Sequence, residues 1–240
     1  MKIIVTKDYE ELSAKAFEVM KGGVKNNPNA VLGLATGTTP LGLYRNMIDD
    51  HKARGTSYAH VRTVNLDEYQ GLPKSHSQSY AYFMRENLFR YLDIEESNTF
   101  IENGMAQNEE EECARYNQLL SEMPRHIQLL GLGSNGHIAF NEPFTPFGSE
   151  THVVDLTENT IKDNARLFDD ISEVPRKAFT MGIKQIMQAK QILILASGAN
   201  KADAVYKTVC GEVTEEVPAS VLQLHPNCIM IADKEAASKL

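Results

Sequence analysis

Four stretches of this chain place acid, base or anion-holding residues directly after short apolar runs. In Asn65-Leu66-Asp67-Glu68-Tyr69-Gln70-Gly71-Leu72-Pro73, two adjacent carboxylates follow the run Val61 to Leu66. A carboxylate at the end of a buried strand, partly desolvated in a cleft, suits a general base. The plainer reading of a lone loop Asp is a turn or cap residue. In Gly131-Leu132-Gly133-Ser134-Asn135-Gly136-His137-Ile138-Ala139-Phe140-Asn141-Glu142-Pro143, a glycine-rich loop presents His137 and then Glu142. A histidine near a carboxylate forms an acid/base pair that works near neutral pH. Formally the segment contains G-x-G-x-x-G, with Asp155 near the spacing of a dinucleotide fingerprint. That reading fails on context, because Pro143 and Pro146 interrupt the helix the fingerprint needs.

Two further stretches suit an anion. Leu34-Ala35-Thr36-Gly37-Thr38-Thr39-Pro40 combines hydroxyls, a glycine that admits close backbone approach and a proline suited to a first helical position. Either Thr38 or Thr39 can cap the following helix, so a well-made cap is the alternative to phosphate binding. Ala196-Ser197-Gly198-Ala199-Asn200-Lys201 is a small-residue turn that brings Lys201 to a helix start. Lysine holds phosphate as a point charge, although a lone helix lysine is more often a surface residue. Arg166, in Asn164-Ala165-Arg166-Leu167-Phe168, has the same two readings.

These stretches need a frame, and the apolar pattern supplies one. Strands are expected at Lys2 to Val5, Ala30 to Ala35, Val61 to Leu66, Ile127 to Leu132, Val153 to Leu156, Gln191 to Ala196 and Cys228 to Ala232. Helices are expected at Tyr9 to Lys21, Pro40 to Ala53, Ser77 to Tyr91, Glu109 to Met123, Glu158 to Phe168, Met181 to Ala189 and Asn200 to Val209. Alternation of this kind predicts an α/β fold, a doubly wound and mostly parallel sheet with helices on both faces (Rossmann-like). With no long linker or internal repeat, one domain over residues 1–240 is expected. In such sheets ligands bind at the carboxyl ends of the strands, where the four stretches lie.

A net charge of −8 disfavours nucleic acid and anionic membrane as partners. An anionic substrate must then be held by local cations and backbone N–H groups. The start MKIIVTKDYEEL lacks the apolar core of a signal peptide, and no apolar run spans a bilayer. Cys113, Cys210 and Cys228 form no CxxC pair, which fits a reducing, cytoplasmic setting. The seven histidines lack metal-ligand spacing, so neither a metal nor a cofactor is expected. Jointly the residues describe a phosphorylated small molecule and proton-transfer chemistry, without fixing the substrate.

The segments GLATGTTPLGLY, NLDEYQGLP, GLGSNGHIAFNEP, NARLF, SGANKADAV and SVLQLHP resemble the glucosamine-6-phosphate deaminases, in order and over nearly the whole chain. The resemblance implies aldose–ketose isomerisation coupled to loss of the C2 amine, giving fructose 6-phosphate and ammonia in amino-sugar catabolism. It implies that His137 assists ring opening, supported by Glu142 and Asn135. Asp67 would move a proton from C2 to C1 through an enol. Thr36, Gly37, Thr38, Thr39, Arg166 and Lys201 would hold the phosphate. The better-known members have an acidic residue where Asn135 stands, and Asn brings no charge. Some members are hexamers activated by N-acetylglucosamine 6-phosphate through a Ser- and Arg/Lys-containing stretch after FNEP. Here Phe144 to His152 has no Arg or Lys, so a monomer or small homo-oligomer with hyperbolic kinetics is expected. The alternatives are a 6-phosphogluconolactonase-like hydrolase, expected to lack the DEYxGLP and FNEP segments, and a sugar-phosphate-sensing domain.

Overall fold

A computed structural model describes residues 1–156 and 173–240 of the chain. Seven parallel strands form the central sheet in the order β5-β3-β2-β6-β9-β10-β1. They are β1 (Lys2–Thr6), β2 (Val31–Leu34), β3 (Arg62–Asn65), β5 (Thr99–Phe100), β6 (Ile127–Gly131), β9 (Ile192–Ala196) and β10 (Cys228–Asp233). The central strands read as continuous apolar runs, such as Ile-Leu-Ile-Leu-Ala in β9, because both faces are covered. The cover comes from α1 (Tyr9–Asn26), α2 (Leu41–Arg54), α3 (Tyr80–Asn87), α4 (Glu109–Glu122), α5 (Ile183–Met187) and α6 (Ala202–Cys210).

Helix α1 shows why these segments are helical. Asp8 caps it by accepting from the Glu11 N–H at 2.9 Å, Glu10 and Glu11 occupy the first turn, and Lys25 the last. Leu12, Ala16, Met20 and Val24 recur at helical spacing and are buried against the sheet. Helix α4 starts in the same way, with Asn108 accepting from the N–H groups of Glu110 and Glu111.

From β2 the chain runs outward to β3 and β5, then returns to β6 on the other side of β2 and continues to β9 and β10. The order therefore reverses between β2 and β6. Pairing there covers only Leu32 with Ile127 and Gly33 with Gln128. Leu34 and the end of β6 run on unpaired with each other, so a crevice opens at their carboxyl ends.

A second sheet corrects the reading of one sheet alone. The strands β4 (Asp67–Tyr69), β8 (Lys177–Thr180) and β7 (His152–Asp155) pair antiparallel in the order β4-β8-β7. The run at Val153 is thus not a parallel strand of the main sheet, and Asp67 and Glu68 stand on a strand, not in a loop. Asp67 faces Thr180 across this ladder and Glu68 faces Phe179. Helix α3 is shorter than the span from Ser77 to Tyr91. Ser79 caps it by accepting from the Tyr82 N–H at 3.0 Å, and Phe89–Tyr91 is a separate 3₁₀ turn. Residues 181–189 give the short α5 followed by a turn. The helix expected from Glu158 to Phe168 lies outside the described residues.

Glu102 is a core residue that opposes folding. It lies just after β5, is 0% exposed, and among the described residues its carboxyl oxygens have no partner beyond the residue's own backbone N–H. Burial, and then the nearby Asp67, hold its carboxyl well above the usual range. The folded chain keeps a proton that the unfolded chain releases above about pH 4.3. Stability therefore falls as pH rises above that value, by up to about 1.4 kcal/mol per pH unit, until the folded pKa is reached. Glu102→Leu removes the loss. Its melting temperature should exceed that of the wild type, by a larger margin at pH 8 than at pH 5. Equal melting temperatures at both pH values would show that Glu102 is not a desolvated acid.

Candidate active site

The crevice between β2 and β6 holds a cavity of about 320 Å³. Its wall brings together Thr36, Gly37 and Thr39 after β2, Asp67 on β4, His137 after β6 and Lys201 after β9. Residues from four separate stretches thus meet at one end of the sheet. Thr38 does not line this cavity; it is exposed, and its carbonyl is held by the Tyr9 hydroxyl at 3.1 Å. Arg166 lies outside the described residues.

The loop after β2 departs from the expected cap. Pro40 occupies the cap position of α2 and no threonine side chain caps the helix. The Tyr9 hydroxyl does so instead, accepting from the Gly42 N–H at 2.8 Å. Gly37 has φ 91°, a left-handed conformation that glycine adopts without strain. Lys201, beside this loop at the cavity, is half-buried, and desolvation lowers its pKa. It has no anionic partner among the described residues, so it stands ready for an anionic ligand.

The two adjacent carboxylates have different surroundings. Glu68 accepts from the N–H groups of Tyr80 and Ala81, both at 2.9 Å, and so caps the start of α3. Side chains alternate along a strand, so Asp67 points to the other face, into the cavity. Asp67 is only 7% exposed. Desolvation, then repulsion from Glu68, pushes its carboxyl up to about 8. A carboxyl that titrates near neutral pH and faces a cavity is equipped to take and return a proton.

His137 is held from behind. Its Nδ1 lies 2.7 Å from Asn135 Oδ1 and 3.3 Å from Glu142 Oε1. Asn135 Nδ2 donates to Glu142 Oε2 at 2.6 Å, so the amide bridges ring and carboxylate. The hydrogen bond from His137 holds Glu142 below the usual carboxylate range. With two acceptors at Nδ1, that nitrogen carries the proton and leaves Nε2 to exchange protons with a ligand. Asn135 and Glu142 reach the cavity only through His137. Gly133 is required for this packing, because a Cβ there would lie 2.4 Å from the imidazole. Ala139, also on the cavity wall, has φ 53°, and Asn141 holds the loop through the carbonyls of Ile138 and Met181.

Sequence reasoning missed an aromatic wall. Tyr80 and Phe140 line the cavity and stack at 6.2 Å with an interplanar angle of 11°. The Tyr80 hydroxyl donates to the Tyr69 hydroxyl at 3.1 Å and also meets the Thr36 side chain. The only signal is that Tyr80 opens the helix capped by Glu68, which cannot be read without knowing that cap. Among the described residues no group of His, Cys, Asp and Glu is placed to hold a metal ion. No described helix is long and apolar enough to cross a membrane.

Residues 7–230 match the family model for glucosamine-6-phosphate isomerases/6-phosphogluconolactonase. The glucosamine-6-phosphate deaminase of Thermoanaerobacter pseudethanolicus is 51% identical over 239 residues, covering 99% of this chain and 94% of that protein. That of Clostridium perfringens is 49% identical over 241 residues, with 100% of both covered. A solved monomeric glucosamine-6-phosphate deaminase superposes with a TM-score of 0.96 at 48% identity, covering both chains fully. The 6-phosphogluconolactonase of Trypanosoma brucei shares the fold, with a TM-score of 0.78 at 21% identity. This chain belongs to the glucosamine-6-phosphate isomerase/6-phosphogluconolactonase family.

Proposed function

We propose that this cavity converts glucosamine 6-phosphate and water to fructose 6-phosphate and ammonia. The observation that carries the reading is Asp67, a desolvated carboxyl facing a cavity shared with His137 and Lys201, in a chain about half identical end to end to deaminases. A lactone hydrolysis needs no base at C2, and the solved lactonase is only 21% identical to this chain, against about half for the deaminases.

The chemistry follows from the placement. The Thr36–Thr39 loop and Lys201 hold the phosphate, which fixes the reacting carbons at the far end of the sugar. His137, through Nε2, moves the proton between the anomeric hydroxyl and the ring oxygen as the pyranose opens. Glu142 and Asn135 keep its Nδ1 protonated. Asp67 then takes the proton from C2, the C2–H electrons form the C1–C2 double bond of an enolamine, and the π electrons of the C1 carbonyl pass to O1, which takes up a proton. Return of the proton to C1 leaves an imine at C2. Water adds there and ammonia departs, so C2 becomes the ketose carbonyl. C1 is reduced as C2 is oxidised, so no external electron acceptor enters the balance.

The stretch from Phe144 to His152 also bears on assembly. It contains no Arg or Lys, and its Glu150 pairs with Lys184 at 2.6 Å. A phosphate there would meet the Glu150 carboxylate, and the Lys184 ammonium beside it is already paired with that carboxylate. A monomer with hyperbolic kinetics fits this surface.

Asp67→Asn should lower kcat by about 10²–10⁴-fold with KM little changed, measured as ammonia and fructose 6-phosphate released. Near wild-type turnover would remove Asp67 from the reaction. Asn135→Asp takes away the N–H that Glu142 accepts and sets a second carboxylate against Nδ1 of His137. The added negative charge favours the imidazolium, so the pH–rate profile should move to higher pH with activity retained. An unchanged profile would mean that Asn135 does not govern the ring. The chain should sediment as a monomer and give hyperbolic rates, indifferent to N-acetylglucosamine 6-phosphate. A hexamer with a sigmoidal curve abolished by that sugar would contradict the monomer.

A further inference from the structure

A second cavity, of about 500 Å³, lies behind the strand that leads to Asp67 and is separate from the catalytic one. Its volume is within the range of small-molecule sites, about 300–1,000 Å³. Met84, Phe89, Ile94 and Phe100 make much of its wall apolar, while Lys74, Arg85 and Arg90 bring three cations to it in a chain of net charge −8. Glu96 on the wall and Glu86, which pairs with both arginines, offset two of these charges. Lys74 has no ion pair among the described residues. Asn65 also lines the cavity, is 2% exposed, and its side-chain Nδ2 has no hydrogen-bond partner among the described residues. A buried donor of this kind is costly unless an acceptor meets it.

We infer that this cavity is a second binding site, for a small anion with an apolar body: a carboxylate, phosphate or sulfonate on a ring or chain. The apolar body fills the space between Met84 and Phe100, and the anion meets the Lys74 and arginine side. The site also touches the supports of the carboxylate pair. Asn65 stands two residues before Asp67, and its carbonyl is held by the Tyr116 hydroxyl at 2.6 Å. Ala81, on the cavity wall, gives its N–H to Glu68, and the charge of Lys74 acts on the same carboxylate. An occupant therefore bears on both segments that place Asp67, and binding alters turnover.

The fluorescent probe 8-anilinonaphthalene-1-sulfonate has the required chemistry. Titration of the folded chain should give saturable binding at a single site. The double variant Arg85→Glu with Arg90→Glu reverses charges on half-exposed side chains, and Ile94→Trp fills the cavity with an apolar residue. Each should weaken binding roughly tenfold or more, whereas Lys201→Ala, in the other cavity, should leave it unchanged. Saturating probe should change wild-type turnover by about twofold or more and leave that of Ile94→Trp unaffected. Absence of saturable binding, equal affinity in wild type and both cavity variants, or loss of binding in Lys201→Ala would each overturn the site. Bound probe with unchanged turnover would overturn its link to Asp67.

Discussion

The site depends on keeping one carboxyl out of water beside another. Asp67 and Glu68 are adjacent in sequence, and in an open loop both would ionise freely. The short strand β4 separates them by the alternation of its side chains. Glu68 turns away and accepts from three N–H groups, of Tyr69, Tyr80 and Ala81; burial raises its carboxyl above the usual range and these bonds oppose that rise. Asp67 turns into the cavity, receives none of these bonds and is raised first by burial and then by the charge of its neighbour. One residue anchors a helix while the other gains the proton affinity of a base.

The rest of the fold serves this arrangement. Strand β4 exists because β8 supplies a partner, with Asp67 opposite Thr180 and the Leu66 carbonyl accepting from the Met181 N–H at 2.7 Å. The same strand reaches the histidine loop, since the Thr180 hydroxyl meets the Phe140 N–H at 3.1 Å and the Met181 carbonyl accepts from Asn141. A small antiparallel sheet thus links the carboxylate to the histidine loop. The large parallel sheet brings the loops after β2 and β9 to the same crevice. Lys201 depends on a turn tied down by Asp233, which accepts from the Ser197 hydroxyl at 2.5 Å and the Gly198 N–H at 3.0 Å.

Much of this was legible in the sequence because the strands of a two-sided sheet are apolar throughout. The runs at Val31, Ile127 and Ile192 mark central strands, and residues of the candidate site lie just beyond them. The second sheet was not legible. Asp-Glu-Tyr is three residues long with two charges, and its partner strand lies more than 100 residues away. Without that strand nothing distinguishes Asp67 from Glu68. Thr38 looked equal to its neighbours, yet Tyr9, far earlier in the chain, binds its carbonyl and caps the helix. Tyr80 carried no motif, because its place follows from the Glu68 cap. The pairing of Asn135 with both His137 and Glu142 needed the loop's actual course, with its left-handed Gly136 and Ala139.

The proposed chemistry depends on the protonation of Asp67 in the folded chain. Carbon-13 NMR of chain labelled at the aspartate carboxyl carbons, recorded across pH for wild type and Asp67→Asn, observes that group directly. A resonance missing from the variant that titrates at about 8 is the predicted result. A resonance assigned to Asp67 that titrates in the ordinary aspartate range, near about 4, would contradict the claim that burial beside Glu68 makes this carboxyl the base.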